Sequence, residues 1–330
     1  MAQFGTVFCD HMSIARFEHG GWSEATIQPL APLSMHPASH VFHYASTCFE
    51  GFKAYRWPDG KARIFRLHDH VARMQRSAKS LHLPVPDANL LAGMVEDLVR
   101  KQLGDIPEPP SSLYLRPTLI GTLPNIGAAA APSTQAMLFV LASPVGDYFA
   151  GGARPLKLLI ADTIARSTEQ LGSTKTGGNY AAALGPTLAA KEQFGVDQVL
   201  FCPGGDVQET GAANFLLLSD EEIITKPLNS SFLYGITRAS IITLARDLGY
   251  RANERDFTVA ELLDWAASYE AALSGTAATL TPVGRLVYQG REILVRDGSA
   301  GPNTERLRRA LQTIQYGEAP DTHAWLTEVS

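Results

Sequence analysis

Ser173-Thr174-Lys175-Thr176-Gly177-Gly178-Asn179-Tyr180 sets a lysine two residues ahead of a glycine pair, among polar side chains, with an apolar helix-like run opening at Ala181. Glycine has no Cβ, so another group can approach such a backbone closely. A lysine held in a pocket of this kind can lose its charge by desolvation and act as a nucleophilic amine, as Schiff-base lysines do. The same residues also suit a surface lysine in a flexible loop. The segment alone leaves both readings open, and the rest of the chain decides between them.

The chain has 330 residues, long for one core and natural for two domains. Hydrophobic residues make up 45% and charged residues 18%, the balance of an ordinary globular protein. A formal charge of −5 argues against a nucleic-acid or anionic-membrane partner, although specific anion sites need only local donors. Cys9, Cys48 and Cys202 are odd in number, scattered and free of CxxC spacing, which predicts reduced thiols with neither a disulfide framework nor a metal site. Asp10, Arg16 and Glu18 interrupt the N-terminal region, which has no apolar signal core. No apolar run is long enough to span a membrane, and a cytoplasmic protein is expected.

Short apolar runs broken by Gly and Pro predict strands and loops over residues 1–60. The aromatic-rich HYASTCFEGFKAY (43–55) suits a cavity wall or packing around a sheet. Leu67, Val71, Met74, Ala78 and Leu81 fall on one face of a helix predicted over 65–83, with Pro84 as its stop. A second helix is predicted over 89–103, and buried strands over 113–120 and 137–141. The Gly- and Pro-rich segment 144–155 reads as a linker between a small N-terminal α/β domain (1–143) and a larger C-terminal domain (156–330) carrying Lys175. The alanine run 128–131 reads as a loop. In the second half, strands at 156–160, 198–202, 214–218 and 270–273 alternate with helices at 181–193, 237–248, 258–267 and 303–315. The class is α/β (α+β).

Three further segments carry chemistry. ETGAAN (209–214) puts a carboxylate in a small-residue turn that feeds an apolar strand. YGITR (234–238) places a glycine before a helix start, where the N–H groups of Ile236 and Thr237 suit a phosphate. SGTA (274–277) is a second small-residue turn able to present N–H groups and a hydroxyl to an anion. Each has an ordinary alternative: a salt-bridged Glu, a capped helix, a tight turn.

Together and in this order, these segments strongly resemble the fold-type-IV pyridoxal-phosphate enzymes (D-amino-acid aminotransferase-like in fold), and specifically the branched-chain aminotransferases. FGTVFCDHM (4–12), HPASHVFHYASTCFEGFKAY (36–55), FRLHDHVARM (65–74), LYLRPTLIGT (113–122), PVGDYFAGG (144–152), KTGGNYAAAL (175–184), ETGAANF (209–215), YGITR and SGTAATLTPV (274–283) carry the resemblance. It implies pyridoxal 5'-phosphate as cofactor, with Lys175 as its Schiff-base lysine. By the same resemblance Glu209 pairs with the pyridine nitrogen and Tyr180 with O3′, while Arg73, the backbone of Ile236 and Thr237, and Thr276 hold the phosphate. Substrate is implied to lie against Phe4, Tyr44, Phe49, Tyr114 and Tyr180. Its α-carboxylate would meet the Gly275–Ala277 turn and polar groups around Tyr114 and Arg116. The implied reaction is ping-pong transfer of the amino group of leucine, isoleucine or valine to 2-oxoglutarate. Small amino and 2-oxo acids are the implied partners, and the implied assembly is a homodimer.

Helical periodicity places Arg73 about 120° from the apolar stripe of its own helix, which by itself reads as solvent-facing. Tyr234 stands where relatives often carry proline. Ala278 and Thr281 occupy the places of the cysteine pair that some animal members carry, which excludes a thiol switch there. A D-amino-acid aminotransferase or an aminodeoxychorismate lyase shares the lysine and glutamate, but the N-terminal block and YLRP favour the branched-chain type. A non-catalytic protein with a relic pocket is opposed by the intact Lys175 and Glu209.

Overall fold

A computed structural model describes residues 4–127, 130–146 and 154–330. The loop reading of 128–131 and the linker reading of 144–155 therefore lie partly outside the described residues. The chain forms two compact units, one of Met1–Asp147, Thr174–Gly177 and Ile314–Ser330, the other of Tyr148–Ser173 and Gly178–Thr313. A single cut at 144–155 does not reproduce this grouping, and Lys175 belongs to the first unit, not to the C-terminal one. The physical reason lies in backbone pairing, because the short Lys175 segment and the C-terminal strand both bond to strands of the N-terminal unit.

The first unit holds strands β1 (His11–Glu18), β2 (Gly21–Trp22) and β3 (Thr26–Pro29), then helix α1 (His40–Tyr44). Strands β4 (Thr47–Phe49), β5 (Phe52–Arg56) and β6 (Ala62–Phe65) follow, then helices α2 (Leu67–Ser80) and α3 (Ala88–Lys101) and strands β7 (Ser112–Gly121) and β8 (Ala136–Val145). The long β7–β8 pair runs antiparallel from Ser112↔Val145 to Gly121↔Ala136 and is the spine of the sheet. Leu67, Val71, Met74 and Ala78 of α2, with Leu91, Val95 and Leu98 of α3, bury against Phe52, Leu113, Leu115 and Leu138.

Helix α2 is shorter than the pattern 65–83 predicts. Arg66 takes a left-handed conformation (φ 57°), which lets β6 end before the helix starts. His82 turns the chain with φ 51°, so the stop precedes Pro84. Helix α3 starts at Ala88 because Asp87 accepts from the N–H groups of Asn89 (2.8 Å) and Leu90 (3.3 Å).

The second unit contains β9 (Leu156–Ala161), α4 (Gly177–Phe194), β10 (Gln198–Phe201), β11 (Asn214–Leu218), β12 (Glu222–Thr225) and α5 (Ile236–Asp247). It continues with β13 (Arg251–Glu254), α6 (Val259–Ala266), β14 (Glu270–Gly275), β15 (Thr279–Tyr288), β16 (Arg291–Leu294) and most of α7 (Pro302–Tyr316). Its sheet is mixed, in the order β10-β9-β15-β14-β11-β12-β13 with β16 on β15. Helix α4 opens at Gly177, so the glycine pair forms its first turn, whereas the pattern places the start at 181. The last strand, β17 (Leu326–Val329), returns to the first unit and pairs antiparallel with β6.

All three cysteines are free and buried, and burial raises each thiol, Cys9 to about 12. Among the described residues no helix is long and apolar enough to cross a membrane.

Candidate active site

Backbone contacts on both sides hold Lys175. Its N–H donates to Ser77 Oγ (3.0 Å), and its carbonyl accepts from the Phe49 N–H (3.1 Å). Thr176 Oγ1 donates to the Thr47 carbonyl (2.8 Å), and Cys48 and Thr176 form an antiparallel bridge. The segment Thr174–Gly177 therefore runs beside β4 as an added edge. The Lys175 amine lies 5.1 Å from the centroid of the Phe49 ring.

Around Phe49 the same unit gathers three more of the candidate residues. The Arg116 guanidinium lies 4.7 Å from the Phe49 ring centroid and 5.3 Å from that of Tyr114, and its NH2 donates to the Tyr114 hydroxyl (2.9 Å). Its buried Nε has no hydrogen-bond partner among the described residues, an arrangement that favours an incoming acceptor. Phe4 packs edge-on against Tyr114, with ring centroids 4.9 Å apart. A Cβ on Gly51 would stand 1.9 Å from the Tyr114 hydroxyl, so glycine is required for this placement. The Tyr44 hydroxyl donates to the Ile126 carbonyl, and the side chain lines a cavity of about 420 Å³ with His40, Ser46, His82 and Ala131.

Arg73 is buried, contrary to its solvent-facing position on the helical wheel. Helix α2 has a second inward stripe, His70, Arg73 and Ser77, at spacings of three and four residues. The partner of His70 and Arg73 is Glu50, a fully buried carboxylate just after β4. Arg73 donates through Nε to Glu50 Oε1 (2.7 Å) and through NH2 to Oε2 (2.8 Å). Burial pushes the Glu50 carboxyl up, but Arg73, and after it His70, outweigh burial and hold it well below the usual carboxylate range. His70 stacks on Phe52 and places Nδ1 2.7 Å from Glu50 Oε2. Burial lowers His70 from 6.5 to about 4 against the pull of Glu50, so at neutral pH an uncharged ring donates Nδ1–H.

Acid should therefore destabilise the protein through His70. Its folded pKa lies below its unfolded one, so between them the unfolded chain binds the extra proton and stability rises with pH. The contribution is complete above about pH 6.5 and is lost as pH falls to about 4. It amounts to about 3 kcal/mol. Thermal melts across this range should fall less steeply for His70→Phe than for the parent, and equal slopes would contradict the assignment.

In the second unit Asn214 is the hub. Its Nδ2 donates to Glu209 Oε2 (2.9 Å) and to the Leu233 carbonyl (2.9 Å), and its Oδ1 fills the space where Gly235 would carry a Cβ. On the sheet it pairs with Ser274, which brings β14 and the Gly275 turn beside it. Glu209 also accepts from the Leu233 N–H (3.1 Å) and lies 2.6 Å from Nε of Arg166, a buried ion pair. The Arg166 NH2 is anchored on the Gly172 carbonyl (2.8 Å). Gly235 precedes α5 without any side-chain cap, and Ile236 and Thr237 are buried. A buried helix start of this kind needs an acceptor, and an anion is the natural one. The turn at Gly211 packs on Ala183 of α4, one helical turn beyond the half-buried Tyr180.

The amino-transferase class IV family matches residues 47–286. The chain belongs to that family. This class IV aminotransferase is 37% identical to a probable branched-chain-amino-acid aminotransferase of Streptomyces coelicolor, over 98% of this chain and 91% of the relative. It is 36% identical to branched-chain-amino-acid transaminase 1 of Bacillus subtilis, over 99% of this chain and 94% of the relative. Its fold is that of the T.th. branched-chain amino acid aminotransferase, with a TM-score of 0.82, 28% identity, and coverage of 98% of this chain and 99% of that one. The fold-type-IV expectation holds.

Several residues packed around the candidate positions escape the sequence reading. Glu50 stands inside the quoted motif FEG, and a carboxylate among aromatics already signals a buried charge in need of a partner. Ser77 shares the helical stripe of His70 and Arg73. Asn214 ends ETGAAN without a role that sequence alone suggests, and Arg166 has no sequence signal.

Proposed function

We propose that this aminotransferase moves the amino group of leucine, isoleucine or valine to 2-oxoglutarate, with pyridoxal 5'-phosphate as cofactor. The observation that carries this reading is the Phe49–Tyr114–Arg116 group beside Lys175. Aromatic walls suit a branched apolar side chain, and an arginine with an unpartnered buried Nε suits a second carboxylate. Solved complexes of the T.th. relative contain 4-methylvaleric acid in one case and N-(5'-phosphopyridoxyl)-L-glutamate in another, which supports one pocket for both substrate types.

The residues present fit the cofactor, since the buried start of α5 has no side-chain cap and suits a phosphate. When bound, the cofactor ring withdraws electrons and stabilises negative charge at the substrate Cα. Lys175 would hold it, and its amine would move the Cα proton as general base and acid. Glu209, held by Asn214, Arg166 and the Leu233 N–H, supplies the negative charge for a protonated ring nitrogen. Tyr180 serves the ring hydroxyl. Arg73, Ile236, Thr237 and Thr276 serve the phosphate, while Gly275 and Ala277 receive the substrate α-carboxylate. Phe4 backs Tyr114. Each methylene buried against these walls contributes about 0.8 kcal/mol, so alanine should be a poor donor.

Arg116→Ala should harm the 2-oxoglutarate half-reaction more than the leucine half-reaction, by at least about tenfold. Single-turnover spectra follow the two halves separately, and equal losses would reduce Arg116 to a structural support. A homodimer completes the reading, supported by the exposed apolar side chains of Phe42 and Ile126. Sedimentation of an active monomer at assay concentration would refute it.

A further inference from the structure

Helix α2 touches two features that the proposed function treats separately. Through Arg73 it presents a guanidinium whose Nε and NH2 are both locked on Glu50, and one turn later Ser77 Oγ accepts the backbone N–H of Lys175. The same β4 region closes the arrangement from the other side, since Phe49 donates to the Lys175 carbonyl and Glu50 follows it directly in the chain. Lys175 itself sits in a four-residue segment that the first unit holds while its flanking residues belong to the second. Nothing in the segment's own sequence fixes its register, so the contacts to Ser77, Phe49 and Thr47 must do so.

We propose that α2 is the ruler of the site: Glu50 and Ser77 are positioning residues that fix the phosphate-gripping guanidinium of Arg73 and the amine of Lys175 relative to one another. The inference rests on the function proposed above and adds to it two residues that touch neither substrate nor cofactor. Glu50 acts by orientation. With two of its nitrogens held by one carboxylate, the Arg73 guanidinium cannot swing, and its remaining edge keeps a single direction. His70, neutral and stacked on Phe52, fixes the second oxygen of that carboxylate. Ser77 acts on the main chain. Its hydroxyl is buried, and as an acceptor it sets where the Cα of Lys175 lies along the helix. A misplacement well under the length of a bond at Cα is carried to the amine at the end of the side chain. Small errors of this kind are costly in reactions that depend on alignment.

The two positioning residues should fail differently, and that difference is the test. Full-length protein stripped of cofactor is titrated with pyridoxal 5'-phosphate and, separately, with pyridoxal, which lacks the phosphate. Glu50→Gln should weaken binding of the phosphorylated probe by at least about tenfold and leave pyridoxal within about twofold, because only the phosphate grip is disturbed. Ser77→Ala should bind both probes within about threefold of the parent. Its rate of borohydride-trappable bond formation and its kcat should fall about tenfold with KM for leucine nearly unchanged, and Ser77→Thr, which keeps the acceptor, should recover most of the loss. Glu50→Gln removes the counter-charge of a buried guanidinium and can fail to fold. His70→Phe then takes its place, with the same selective loss at about threefold. Variants that lower only the melting temperature, with probe preference and trapping rate as in the parent, overturn the inference. A parent protein that carries no pyridoxyl group on Lys175 after reduction overturns the underlying function as well, so the two failures are distinguishable.

Discussion

Lys175→Ala should lower the rate of transamination by at least about 10⁴-fold while leaving the fold intact. The side chain is half-buried and its position is set through main-chain bonds that alanine also makes, so Ser77 and Phe49 keep their partners. What disappears is the amine, and with it both the covalent anchor and the carrier of the Cα proton. Added small primary amines should restore part of the proton-transfer rate, because they can take the space that the side chain vacates beside the Phe49 ring. Steady-state rates with leucine and 2-oxoglutarate, alongside a thermal melt, check the result. A variant within about tenfold of the parent would show that proton transfer is carried elsewhere.

The second large effect is expected at Glu209. Replacement by glutamine keeps the shape and removes the charge, and kcat should drop at least about a hundredfold because the ring proton loses its counter-charge. The structure adds a consequence for stability. Arg166 is buried against Glu209, and removing one member of a buried pair leaves the other uncompensated, at a cost of about 3–5 kcal/mol. The variant should therefore be slower and less stable together. Denaturant melts and kcat measured on the same preparation test both. Replacing Arg166 by methionine along with Glu209→Gln should recover stability without recovering turnover. Recovery of both would mean that the charge at position 209 serves folding alone.

Much of the fold is legible in the sequence where one face of an element is apolar and the other wet. The strand Asn214–Leu218 and the helices at 259–266 and 302–316 lie within a residue or so of the pattern. Helix α2 is the instructive exception. Its apolar stripe is plain, but periodicity alone takes every polar position to face water, and three of them do not. The carboxylate that permits this for His70 and Arg73, Glu50, is 20 and 23 residues away from them in the chain and is brought in by the sheet. The domain division is obscured for a related reason. Composition marks the Gly-rich segment near 150, but it cannot show that residues 174–177 and the C-terminal strand pair with the N-terminal sheet, because such pairing is a main-chain property without side-chain signature. At the candidate site, the residues proposed to meet ligands stand in short motifs. The residues that hold them, such as Arg166 and Ser77, work through ordinary polar contacts that many positions share.

The measurement closest to the central claim is a two-step spectral titration of the purified, cofactor-loaded protein. L-Leucine alone should convert the absorption of the pyridoxal form to that of the aminated form, and 2-oxoglutarate added next should restore the first spectrum. D-Alanine should leave the spectrum unchanged. A protein that responds to D-alanine and not to L-leucine, or that never returns with 2-oxoglutarate, would contradict the assignment of this chain as a branched-chain transaminase.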